Sequence, residues 1–170
     1  MIPAQGSVKG TDMFREVSRS ARRLDEKETL DLLRTELRGV LSVQGDDGYP
    51  YGIPMNHYYC DEDGLIYFHS GMSGHKVDAI KRCGKVSFCV YDSGRHADGD
   101  WALTIRSAVV FGTMEIIEDT AKIMEIAEKL SRKFTDDSGY IAAEIERSGP
   151  KTLMFAIRPE HITGKWVREA

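Results

Sequence analysis

Cysteine is scarce in this chain: Cys60, Cys83 and Cys89 are the only 3 in 170 residues, an odd number without a C-x-x-C spacing. A disulfide framework does not fit, and a reducing compartment, with the cytoplasm as the expectation, does. No apolar run reaches the ~20 residues that cross a bilayer as a helix. Met1 to Asp12 lacks the apolar core of a secretory signal, so no membrane partner is expected. The 5 histidines, His57, His69, His75, His96 and His161, are scattered, with no H-E-x-x-H or finger spacing. No metal is expected. Excess positive charge is also missing: 23 Lys and Arg face 27 Asp and Glu, a net charge of -4. That disfavours nucleic acid.

Neither internal repeats nor low-complexity linkers interrupt the chain. With 41% hydrophobic and 29% charged residues, it can bury the core of one domain. We read residues 1–24 as an arm and 25–170 as a single domain. The arm is mildly basic, holding Lys9, Arg15, Arg19, Arg22 and Arg23 against Asp12 and Glu16. It reads as a solvated or subunit-clasping tail, since Phe14 is its only aromatic residue.

Asp25 and Glu28 have the spacing of a capping box, and Leu30, Leu33 and Leu37 form one apolar stripe behind them. This predicts a helix that Gly39 stops. Strands are then predicted at Val40–Val43, over 51–60, at Leu65–His69 and at Lys85–Tyr91, with a hairpin turn at Asp61–Gly64. Pro54 inside the second run marks an edge or bulged position. A helix is expected near 76–83, a polar loop over 92–100, and a long strand from Ala102 to Ile117 with a bulge or kink at Gly112. Asp119 or Thr120 can cap the next helix, residues 140–147 form another, Thr152–Ile157 is a strand, and Arg158–Trp166 is a tail with β character. Strands in series, joined by hairpin turns, exclude a doubly wound sheet and predict an antiparallel sheet or barrel with helices outside.

The stretch Tyr67-Phe68-His69-Ser70-Gly71-Met72-Ser73-Gly74-His75-Lys76 carries the most chemistry. A strand runs through a Ser/Gly loop into a helix start with a lysine in its first turn. Open backbone N–H groups and the helix dipole make such a start an anion site, with phosphate as the expected guest. The Walker and dinucleotide patterns are both absent, so a plain strand–turn–helix connection with a solvated Lys76 is the competing reading.

Four stretches together resemble the flavin-binding split-barrel superfamily, to which pyridoxamine 5′-phosphate oxidase belongs, and most closely its nitroimidazole-resistance branch. They are Met13-Phe14-Arg15-Glu16; Tyr49 to Asn56; Tyr67 to Arg82 with Lys85–Val90; and Arg106 to Gly112. A weaker fifth is Ile162-Thr163-Gly164-Lys165. The resemblance implies an antiparallel Greek-key split β-barrel with peripheral helices, and a homodimer with two FMN molecules at the subunit interface. It places Pro54, Met55, Asn56 and His57 along the flavin, His69 and Ser70 beside the phosphate or ribityl chain, and His75 and Lys76 on the phosphate. Arg106 and Ser107 would reach the cofactor in the same or the partner subunit, and Lys165 and Trp166 would approach it from the C-terminal segment.

In that branch a histidine at the place of His69 is regarded as functional. It either donates a proton while reduced FMN delivers electrons, or only hydrogen-bonds the flavin. The resemblance points to an FMN-dependent reductase of small electrophiles such as nitroaromatics, with NAD(P)H as donor. A non-catalytic FMN-binding or stress protein is the alternative from another class, and a pyridoxamine-phosphate oxidase is the third. The third lacks its C-terminal arginine/histidine motif here, where only Arg158-Pro159-Glu160-His161 and Gly164-Lys165-Trp166 stand. Haem is a further cofactor that His57, His69 or His161 could ligate. Cys83 and Cys89 read as small buried hydrophobes.

Overall fold

The computed structural model describes residues 14–169. Met13 and the charges Lys9 and Asp12 of the arm lie outside the described residues. The capping box forms as its spacing predicts. Asp25 accepts from the Glu28 N–H at 2.7 Å, and Glu28 accepts from the Asp25 N–H at 3.1 Å. They open α1 (Glu26–Thr35).

That helix ends earlier than expected. Glu36 closes it, and Gly39 lies in β1 (Arg38–Gln44). A Cβ on Gly39 would stand 2.4 Å from the Phe88 ring, so glycine serves strand packing here and not helix termination. β2 (Pro50–Asn56) pairs with β1 and is the edge of the sheet, where the missing N–H of Pro54 costs no ladder bond. The expected single run over 51–60 is broken at His57, and β3 (Tyr58–Tyr59) starts beyond it.

β4 (Ile66–Gly71) leads into α2 (His75–Arg82) and β5 (Lys85–Tyr91). The expected polar loop contains a short β6 (Arg95–His96) before β7 (Leu103–Ile117). Asp119 caps α3 (Thr120–Arg132), and Asp137 caps α4 (Ser138–Ser148). The last expected strand and its tail are one 18-residue strand, β8 (Thr152–Glu169).

The strands form one antiparallel sheet in the order β2-β1-β5-β7-β8-β4-β3, with β6 on β7. It curls into the expected split barrel. β7 and β8 pair along their whole length, with the register shift at Phe111/Gly112. A Cβ on Gly112 would meet the Arg158 carbonyl oxygen at 2.3 Å, which accounts for glycine at the bulge.

Alternating side chains feed two cores. Phe68, Phe88, Val110 and Phe155 point into the barrel and meet Leu32 and Leu33 of α1. Tyr67, Met154 and Ala156 point outward and meet Ile126 of α3. α1 is held on the barrel by close backbone approach at Gly164, whose carbonyl accepts the Leu24 N–H at 3.0 Å. A Cβ at Gly164 would sit 2.2 Å from Thr29 Oγ1.

Candidate functional site

α1, α3 and α4 each have an aspartate whose carboxylate accepts first-turn N–H groups. α2 does not. Its N-cap is Gly74, at φ 119°, with no side-chain cap. The left-handed backbone there suits glycine alone, and the first-turn N–H groups of α2 keep no side-chain acceptor. Lys76 stands in that turn. Its Nζ lies 3.3 Å from Met55 Sδ, a weak acceptor, and burial lowers its pKa. No carboxylate among the described residues bridges it, although Asp78 shares the turn. A half-buried ammonium without an anion is costly, and the open amides beside it have the same need.

His75 is turned aside from this cradle. Its ring stacks on Tyr51 at 4.3 Å and 9°, and its Nε2 is 3.4 Å from Asp46 Oδ2. Arg82 holds the other oxygen of Asp46 at 3.0 Å. His75 with Tyr51 thus forms a flat wall at the start of α2.

Strand alternation separates the remaining candidates. Met55 points into the barrel, while Pro54 and Asn56 point outward. Phe68 points inward and His69 outward, opposite Met154, with Ser70 inward again. The His69 ring is accessible. Burial of its surroundings, and then the charge of Lys76, lower its pKa, so it is neutral near pH 7. His57 stands apart: it is fully buried, edge-on to Phe88, with Nε2 at 2.9 Å from the Leu33 carbonyl. Its side chain has no surface to offer a ligand. Burial, then the charge of Lys133, push its pKa down to about 3.

The other expected residues lie across the sheet. Arg106 pairs with Trp166, and Ser107 with Lys165, between β7 and β8. The first pair shares the inward face with Ala108, and the second shares the outward face. One continuous row runs Pro54–Val40–Cys89–Val109–Thr163 over the outer face. β2 and β8 are therefore four strand spacings apart, about 19 Å along the sheet. In one chain Lys165 and Trp166 do not join His69 and Lys76. They line a separate groove of about 420 Å³, with Ser107 and with Arg15, Arg19 and Arg22 of the arm. Arg22 lies 5.5 Å above the Trp166 ring. The arginines were visible in sequence only as charge, because no motif ties them to a strand 140 residues later. Lys165 also brings a cation near Cys89, which sequence neighbours do not supply, but burial dominates and raises the thiol pKa.

His69 and Asn56 open instead onto a cavity of about 160 Å³ beneath the α3–α4 hairpin. Leu130 and Phe134 wall it from α3 and its end, and Ile145 from α4. The apolar stripe of α3 is legible in the sequence; which of its members face a cavity is not. Among the described residues, no cluster of three or more His, Cys, Asp or Glu could hold a metal, and no helix is long and apolar enough to cross a membrane.

The family model for pyridoxamine 5′-phosphate oxidase matches residues 25–166. No curated protein matches the chain. Among solved structures, a Bacteroides thetaiotaomicron protein assigned provisionally to 5-nitroimidazole antibiotic resistance is 20% identical, with a TM-score of 0.73 over 86% of this chain and 87% of its own. A FAD-binding protein from Mesorhizobium loti is 24% identical, with a TM-score of 0.60 over 86% of this chain and 97% of its own. A FAD and heme binding protein from Mycobacterium smegmatis is 22% identical, with a TM-score of 0.65 over 85% and 72%. At these identities the likeness is one of fold.

Proposed function

The chain belongs to the pyridoxamine 5′-phosphate oxidase family, and on that premise we propose that it binds FMN and works as a flavin-dependent reductase of small electrophiles such as nitroaromatics. The observation that carries this is Lys76, without a carboxylate partner among the described residues, beside the uncapped start of α2. Two independent donors there lack an anion, and a flavin mononucleotide ends in one. Ser70, on the inward face of the strand that leads to α2, adds a hydroxyl, and Tyr51 with His75 adds a flat wall.

β2 supports the same reading. As the edge strand it leaves half its backbone N–H and C=O groups without a strand partner. Those near Met55 and Asn56 are free to bond the polar edge of a flat heterocycle. When bound, the flavin supplies the redox chemistry, and the protein supplies orientation and electrostatics. His69, neutral near pH 7, holds one ring proton within the same region and is placed to give it to a reduced substrate.

The reading includes a homodimer with the cofactor at its interface. The outer face of β1, β5 and β7 exposes Tyr91 (60%) and Phe111 (40%) beside the partly exposed Val40, Cys89 and Val109. Such an apolar face favours a partner. A second copy there would bring the groove of Arg22, Lys165 and Trp166 toward the Lys76 cradle of the first. The FAD-binding neighbours support a flavin, one of them binding heme as well; FMN is the finer choice, because one lysine beside one helix start suits a single phosphate.

The test is the visible spectrum of the purified protein, before and after anaerobic NADPH. Flavin absorbance that bleaches is expected. Flavin absorbance that persists would leave a binding protein, and a protein that takes up no FMN would overturn the proposal.

A further inference from the structure

We infer that the cavity between the α3–α4 hairpin and the outer face of β4 and β8 is a binding site for a neutral, single-ring guest, with Asn56 and His69 as its polar end. Size comes first. At about 160 Å³ it matches the ~150 Å³ apolar cavity that takes up benzene, so one five- or six-membered ring with a small substituent fills it. The walls are apolar: Ile123, Leu130, Phe134 and Ile145 from the hairpin, and Met154 from β8.

Charge then selects the guest. The lining includes no lysine or arginine and one carboxylate, Glu144. The Ser148 hydroxyl, donating to it at 2.7 Å, and then Arg147 hold that carboxyl below the usual range. It is ionised at neutral pH, so an anionic guest would meet a carboxylate and no cation in the lining. A phosphorylated ring is disfavoured by charge, which separates this cavity from the Lys76 cradle.

The polar contacts left for a guest are few. The Ser148 hydroxyl is spent on Glu144, and that of Thr152 donates to the Ser148 carbonyl at 2.8 Å. The Asn56 amide and the neutral His69 ring remain at one end to orient a substituent, with the Ser131 hydroxyl on the α3 wall as a further polar contact. The inference rests on the flavin reading only for the guest's role as electron acceptor; binding in the cavity does not need the cofactor.

Met124 and Met154 both line the cavity, whereas Met114 is buried elsewhere, in the inner core. They serve as reporters in protein carrying ¹³C-methyl methionine and no flavin. Titration with benzyl alcohol should move the Met124 and Met154 signals and leave Met114 in place. Benzyl phosphate should move those two signals at least tenfold more weakly. Ala127→Leu narrows the cavity and should weaken benzyl alcohol at least tenfold while leaving FMN uptake unchanged. Ser131→Leu on the same wall is the second variant should the first fail to fold. The inference is overturned if neither methionine responds, if benzyl phosphate acts as strongly, or if both narrowing variants bind as the parent does. Ring binding with no FMN uptake would sink the flavin reading alone.

Discussion

Asp92 holds Arg106 by both carboxylate oxygens: Oδ1 accepts the Arg106 backbone N–H at 2.9 Å, and Oδ2 accepts its Nε at 2.8 Å. Oδ1 also accepts the Gly94 N–H at 3.1 Å. The ion pair thus ties the residue after β5, the turn that follows and the guanidinium together. Burial by itself would raise the Asp92 carboxyl, but these donors hold it below the usual carboxylate range.

Asp92→Ala should therefore destabilise the protein by about 2 kcal/mol, as the loss of charge-assisted hydrogen bonds does, measured by urea unfolding at pH 7. Because the folded pKa is lowered, this stabilisation is present above the unfolded value of ~3.9 and is lost as pH falls through the folded one. The difference between parent and variant should shrink in acid.

Lys76→Met should weaken FMN about 10- to 100-fold, the worth of one charge-assisted contact, read by flavin fluorescence titration. The flavin-free variant should melt no lower than the parent, since Lys76 has no anion to lose among the described residues. Unchanged FMN affinity would move the phosphate elsewhere.

His69→Ala should retain FMN and lose turnover by roughly 100-fold or more, the usual contribution of a positioned proton donor. Steady-state reduction of nitrobenzene with NADPH checks this. Undiminished turnover would leave His69 a wall of the cavity.

His57 shapes the acid limb of stability. Its folded pKa, about 3, lies below the unfolded ~6.5, so the unfolded chain binds a proton that the fold refuses. The stabilisation is whole above pH ~6.5 and falls by up to ~1.4 kcal/mol per unit as pH drops toward 3. In His57→Phe the slope of unfolding free energy against pH should flatten over that window.

Gly164→Ala should lower stability by about 1–3 kcal/mol, the range for forcing one methyl into a packed contact. Its Cβ would collide with Thr29 and Leu24. A calorimetric melting temperature equal to that of the parent would show that α1 moves aside.

Local chemistry was legible where a few neighbouring residues decide it. The Asp25–Glu28 box, the edge position of Pro54, the bulge at Gly112 and the cap at Asp119 were all written in adjacent side chains. Gly39 misled because its constraint is Phe88, 49 residues away. β8 read as a strand and a tail because Pro159 and Glu160 interrupt the pattern, while pairing with β7 carries the strand through. The cradle at Gly74 and Lys76 was visible as a motif. The Asp92–Arg106 pair, the groove of arm arginines and the cavity under α3–α4 were not, since each joins segments that only the closed sheet brings together.

β8 follows every other strand in the chain yet lies inside the sheet, between β7 and β4. Without it β4 keeps only the two-residue pairing with β3, and the barrel stays open. During synthesis the β1–β5–β7 half can assemble early, but closure waits for the segment after α4. Such late, long-range pairing folds slowly and leaves strand edges unpaired meanwhile. The same strand bears Met154 of the ring cavity and Lys165 of the arginine groove, so neither exists on the nascent chain before closure.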